Sequence, residues 1–132
     1  MIFLRPSFYH LPCMKPKLFL LKADFLDDRA GEQGQRYYCP YCVFVEGILS
    51  YYPQLNNELE IQRLSFDRPR RPLVAVLGED HQFCPSLVLS KADITGGDPE
   101  GFQSTEEYFF TNDEKEIARY LANRYGIALP HP

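Results

Sequence analysis

Tyr38-Cys39-Pro40-Tyr41-Cys42-Val43-Phe44-Val45 is the stretch on which the reading of this chain turns. Two cysteines stand three positions apart with a proline just after the first. Downstream, Phe44, Val45, Ile48, Leu49 and Tyr52 recur at spacings of three and four residues, the signature of one apolar helix stripe. Proline is tolerated in a first helical turn because its missing N–H would have no partner there. The spacing therefore predicts a helix that starts near Cys39 and is stopped by Pro53. A sulfur at a helix N-terminus meets unpaired N–H groups and the positive end of the dipole, both of which favour thiolate. Cys42, one turn on, is placed to attack a disulfide formed on Cys39. The same spacing also serves zinc and iron–sulfur ligation, and a pair without chemistry is the third reading.

Outward from this motif, Lys17-Leu18-Phe19-Leu20-Leu21-Lys22 is a short apolar run between lysines and predicts a buried strand in parallel pairing. Residues 23–38 turn polar and acidic, with Asp24, Asp27, Asp28 and Glu32, and predict a long loop. Leu59 to Leu64 predicts a second strand, and Asp67 to Gly78 a short helix with Pro72 in its first turn. Ser86 to Leu89 predicts a third strand directly after Pro85. Residues 93–106 are Gly-rich and read as irregular, and Tyr108 to Phe110 predicts a fourth strand. A last helix runs from about Asp113 to Tyr125, buried through Ile117, Tyr120, Leu121 and Tyr125. Its capping box is Thr111 with Glu114 or Asp113 with Glu116, and Gly126 ends it. The expected architecture is α/β in the order β-α-β-α-β-β-α, with a mixed four-stranded sheet flanked by helices.

The chain has 132 residues, 45% of them apolar, enough for one domain with a real core. Residues 1–13 read as an upstream extension, non-native or disordered, with Met14 as the start of a single domain over 14–132. Eighteen acidic residues against fourteen basic ones argue against a nucleic-acid partner. Arg68, Arg70 and Arg71 form the one dense basic cluster and read as a solvated helix start, with an anion-contacting patch as the alternative. No apolar run approaches the ~20 residues of a spanning helix, so no membrane partner is expected. A C-x-x-C without secretory features points to a reducing, cytoplasmic setting.

Cys-Pro-Tyr-Cys resembles the glutaredoxin active-site motif, and the element order resembles the thioredoxin-like fold of glutaredoxins and of the N-terminal domain of glutathione transferases. Glu116-Ile117-Ala118-Arg119-Tyr120-Leu121 looks like the last helix of such a transferase domain. Lys15 to Pro132 is also similar to a family of uncharacterised bacterial thioredoxin-like proteins, through the dithiol, Pro85-Ser86-Leu87-Val88-Leu89 and Gly126 with Pro130-His131-Pro132. The glutaredoxin resemblance implies a thiol–disulfide oxidoreductase acting on glutathione or protein mixed disulfides, with glutathione as co-substrate and no other cofactor. It implies Cys39 as nucleophile, Cys42 as resolving thiol, and Pro85 as a cis-proline that turns the Cys84 backbone toward a substrate. Arg36 would hold thiolate or a glutathione carboxylate. Asp113, with Asn112 beside it, would receive the γ-glutamyl end, and Asp98 after Gly96-Gly97 is the rival position. The resemblance departs at the 23–38 link, which is short in glutaredoxins.

Cys84 directly precedes Pro85 and would lie near Cys39 in such a fold. It reads as a small packing residue, a third redox thiol, or a third ligand in a metal site of Cys39, Cys42 and Cys84. His81 is the nearest candidate fourth ligand, and a loop histidine reads first as solvated. Tyr37, Tyr38 and Tyr41 flank the dithiol. Packing accounts for at least one, and an exposed ring, Tyr41 above all, would wall a substrate cleft. A non-catalytic interaction module on the same fold is the remaining alternative.

Overall fold

The computed structural model describes residues 14–94 and 99–132. The 1–13 extension, with His10 and Cys13, and the Gly96-Gly97-Asp98 segment lie outside the described residues. The chain runs β1 (Lys17–Leu21), β2 (Phe25–Leu26), β3 (Arg36–Tyr37), α1 (Pro40–Tyr51), α2 (Leu55–Glu58), β4 (Glu60–Leu64), α3 (Arg71–Leu77), β5 (Ser86–Ser90), β6 (Gln103–Ser104), β7 (Tyr108–Thr111) and α4 (Glu114–Tyr125), with a 3-10 turn at Lys91–Asp93.

One mixed sheet has the order β4-β1-β5-β7-β6. β1 pairs parallel with β4, from Lys17 opposite Glu60 to Leu21 opposite Leu64. β5 lies antiparallel to both β1 and β7. Strand side chains alternate between faces, and here both faces are covered. Leu18, Leu20, Leu87, Leu89 and Phe109 face one side with Val45 and Leu49 of α1 and Ile117 and Leu121 of α4. Phe19, Leu64, Val88 and Phe110 face the other side with Leu73 and Leu77 of α3. Two buried faces explain why β1 and β5 are continuous apolar runs rather than alternating ones.

The expected order of major elements holds, with three corrections. The sheet has five strands, because Gln103–Ser104 pairs antiparallel onto the outer edge of β7. Residues 23–38 are not a plain loop: β2 and β3 form a small antiparallel hairpin. It is seated by aromatic contact rather than sequence pattern, since Phe25 stacks on Phe66 at 4.4 Å and leans on Tyr37 at 6.5 Å. Two-residue strands carry too little periodicity to be read from sequence. The helix expected from Asp67 begins only at Arg71, after an irregular stretch, and ends at Gly78 as expected.

Asp113 caps α4. Its Oδ1 accepts from the N–H groups of Lys115 and Glu116, while Thr111 Oγ1 accepts from the Asp113 N–H. The reciprocal half of a capping box is therefore not formed; Glu116 pairs with Arg119 instead. Gly126 closes the helix at φ 73°, a left-handed conformation that favours glycine. Asp113→Ala is expected to cost about 1 kcal/mol, lowering the melting temperature by about 3–5 °C. A thermal melt checks it, and an unchanged midpoint would deny the cap any weight.

Candidate functional site

The first turn of α1 sets the dithiol. Cys39 is the N-cap, with extended backbone at φ −81° and ψ 115°, and its Sγ accepts the Cys42 N–H at 3.3 Å. Pro40 opens the helix. Cys42 is almost fully buried, 2% exposed, among the Leu18, Leu20 and Val45 side chains. Its Sγ accepts the Leu21 N–H at 3.4 Å, from the last residue of β1. β1 therefore ends beneath the second sulfur, and the helix begins at the first.

The two thiols are driven apart in acidity. Hydrogen bonding from the Cys42 thiol, then from the backbone N–H groups of Cys42 and Tyr41, with a further pull from the Arg70 cation, outweighs partial burial and lowers Cys39 to about 6. Cys42 moves the opposite way: it donates to Cys39, is desolvated and faces the Cys39 charge, so it stays a thiol well above the ordinary range. A partly exposed sulfur that favours thiolate, beside a buried thiol, is a division of labour suited to exchange chemistry.

Cys84 and Pro85 stand opposite. The Cys84–Pro85 peptide bond is cis, and the Cys84 carbonyl oxygen lies 3.9 Å from Cys39 Sγ. The Cys84 thiol is half-buried against both core clusters, and burial raises it to about 11. Its packing reading is the one that the surroundings favour. Asn112 Nδ2 donates toward the carbonyls of Phe83 and Pro85 and to Ser86 Oγ. It ties the end of β7 to the Cys84-Pro85 segment and so steadies the wall facing the dithiol.

Other residues singled out in the sequence fall elsewhere. Arg36 is exposed on β3 and pairs with Asp24 at 3.5 Å, rather than with a thiol. Asp113 serves its own helix, as described, and sits next to Asn112. His81 lies in a loop and is half-buried, with its ring 4.8 Å from that of the buried Phe110. Among the described residues, no group of three or more His, Cys, Asp or Glu side chains is arranged to hold a metal ion, so Cys39, Cys42 and Cys84 form no such group. Tyr37 packs on Phe25, whereas Tyr38 and Tyr41 are 59% and 56% exposed. With the half-exposed Phe83 they give the dithiol an aromatic surround.

The basic cluster departs furthest from expectation. Arg68 and Arg71 are exposed, but Arg70 is only 6% exposed. Its Nε and Nη2 donate to the Phe66 carbonyl at 3.0 and 2.6 Å, and its Nη1 to the Gln82 carbonyl at 2.6 Å. The Arg70 N–H donates to Gln82 Oε1 at 2.7 Å. The sequence signal was present as three arginines around Pro69 and Pro72 beside a helix start. Nothing in the pattern said which of them points inward, and Gln82 carried no signal at all.

An α/β chain with a mixed sheet flanked by helices, bearing a dithiol at a helix N-terminus, is the class that fold and site define. Residues 15–129 match the family described as a protein of unknown function, DUF3088, and the chain belongs to that family. It matches no curated protein and no solved structure. Among the described residues, no helix is long and apolar enough to cross a membrane.

Proposed function

We propose that this chain is a thioredoxin-like, glutaredoxin-like thiol–disulfide oxidoreductase that works through Cys39 and Cys42 on glutathione or protein mixed disulfides. The observation that carries the reading is the split pair: Cys39 lowered to about 6 at the N-cap of α1, with Cys42 held protonated directly below it. The strand order β4-β1-β5-β7 supports the fold assignment, with α1 crossing between parallel β1 and β4 and the Cys84–Pro85 bond facing the dithiol.

In the first step, the Cys39 thiolate attacks one sulfur of the substrate disulfide. A new S–S bond forms as the old one breaks, and the leaving thiolate takes up a proton from solvent. Cys42 then loses its proton and attacks Cys39 Sγ, expelling the second substrate thiol. The substrate disulfide has gained two electrons and two protons, and the protein carries the Cys39–Cys42 disulfide. Two glutathione molecules return it to the dithiol, leaving as glutathione disulfide. The Cys84 carbonyl, turned toward Cys39 just before β5, suits a substrate that binds as an added strand. A reducing compartment such as the cytoplasm suits such a cycle.

The test is reduction of a glutathione mixed disulfide by the pure protein with glutathione as donor. Turnover above the uncatalysed rate supports the reading, and none sinks it.

A further inference from the structure

Arg70 is a cation in the wrong place for a structural residue. Burying a charge is costly unless it is paired, and buried guanidinium groups ordinarily meet a carboxylate. Arg70 is 94% buried by its 6% exposure. Among the described residues, the ion pairs are Lys17–Glu60, Arg29–Asp27, Arg36–Asp24, Arg63–Glu46 and Arg119–Glu116, and none includes it. Its hydrogen bonds go to the Phe66 and Gln82 carbonyls, which satisfy donors but supply no negative charge. The Phe66 ring, 5.3 Å from the guanidinium carbon, adds only a π face.

The position is specific. Gln82, which takes Nη1, stands two residues before Cys84, whose carbonyl touches Cys39 Sγ. The loop from Phe66 to Arg70 is in turn held under the β2–β3 hairpin by the Phe25–Phe66 stack. The charged and titratable groups that act on Arg70 are Cys84, Arg68, Cys42 and Cys39. Of the three thiols Cys84 weighs most and Cys39 least, but Cys84 and Cys42 are held protonated, which leaves Cys39 as the one that carries negative charge at neutral pH.

We propose that Arg70 is a positioning residue whose missing counter-charge is the Cys39 thiolate: a buried, pre-placed cation that holds the attacking sulfur ionised. This deepens the oxidoreductase reading and rests on it. Arg70 lowers Cys39, consistent with that role. Arg68 is exposed and lies over the Phe83 ring at 5.1 Å, so it does not stand in for Arg70 as a buried cation. Arg36, where the glutaredoxin pattern puts a cation, is spent on Asp24. Arg70 takes that electrostatic role from the start of α3 instead.

The measurement is the pH midpoint of Cys39 alkylation by iodoacetamide, resolved by peptide mass spectrometry, and it needs no turnover. Arg70→Met is expected to raise the midpoint by about one pH unit, a tenfold change in thiolate at limiting pH. Arg70→Lys, which keeps the charge, should stay within about 0.4 unit of wild type. Arg70→Gln serves if the methionine variant does not fold, since Gln can still donate to the Phe66 or Gln82 carbonyl without charge. A wild-type midpoint that moves by less than about 0.3 unit between low and 1 M salt supports a buried cation, and a larger rise with salt denies it. A folded, neutral variant with an unshifted midpoint overturns the proposal while leaving the oxidoreductase reading intact. A wild-type Cys39 that titrates like an ordinary thiol overturns that reading instead.

Discussion

Cys39→Ser is expected to abolish reduction of a glutathione mixed disulfide, lowering the rate by about 10³-fold or more. A hydroxyl at the N-cap would keep the Cys42 N–H bonded and hold the helix start, so the loss would be chemical rather than structural. Far-UV circular dichroism and the melting temperature should therefore stay close to wild type. Cys42→Ser predicts a different pattern. Cys39 would still exchange with glutathione, because a second glutathione can resolve the mixed disulfide without Cys42. Reduction of an intramolecular protein disulfide, which needs the protein's own resolving thiol, would fail. Serine also keeps a donor against the Cys39 sulfur, whereas alanine removes the strongest influence lowering it. Cys42→Ala should then show a higher Cys39 alkylation midpoint than Cys42→Ser. Equal turnover in wild type and Cys39→Ser would remove Cys39 from the mechanism.

The second large effect is the spread of thiol reactivities across pH. With Cys39 at about 6 and Cys84 at about 11, roughly nine-tenths of the first and about one in 10⁴ of the second are thiolate at pH 7. Of Cys39, Cys42 and Cys84, alkylation at neutral pH should mark only Cys39. Its rate should plateau above about pH 7 and halve near pH 6, while Cys42 remains unmarked until the fold opens. Stability should follow with a definite sign. Cys39 is an acid whose folded value lies below its unfolded one, so it stabilises the fold fully above the ordinary thiol range near pH 9. That contribution falls away as pH drops from there through about 6. Cys42 is raised on folding, so its contribution is present below about pH 9 and shrinks above it. Urea midpoints at pH 5, 7 and 8.5 should rise in that order by more in wild type than in Cys39→Ser. Identical pH dependence in the two would contradict the shift.

These expectations rest on parts of the molecule that differ in how openly the sequence displays them. α1, β1, β5 and α4 carry their reasons in local pattern: a 3.6-residue stripe, continuous apolar runs, an aspartate cap and a closing glycine. The placement of Cys39 at the N-cap follows from the same pattern. The β2–β3 hairpin and β6 do not, because two-residue strands are too short to show a period and are decided by their partners, distant Phe66 for one and the neighbouring β7 residues Phe109 and Phe110 for the other. Arg36 misled for a related reason. Its distance from Cys39 along the chain is short, but the hairpin turns it toward Asp24. Arg70 was visible only as one of three basic residues, and direction of burial is a tertiary property that no spacing encodes. A loop position suggests a solvated His81, yet Phe110 offers its ring a partner and leaves it half-buried.

The bond from the Leu21 N–H to Cys42 Sγ links the sheet to the dithiol. A reduced sulfur is a weak but adequate acceptor, and drawing that sulfur into a disulfide with Cys39 changes its direction and electron density. The strand end is thereby wired to the oxidation state. Amide exchange at Leu21 would change if Cys42 passed from thiol to disulfide, whereas Phe19, in the middle of the strand, would not notice. A backbone NMR peak at the strand end would then read out the oxidation state of the pair without any label on the cysteines themselves.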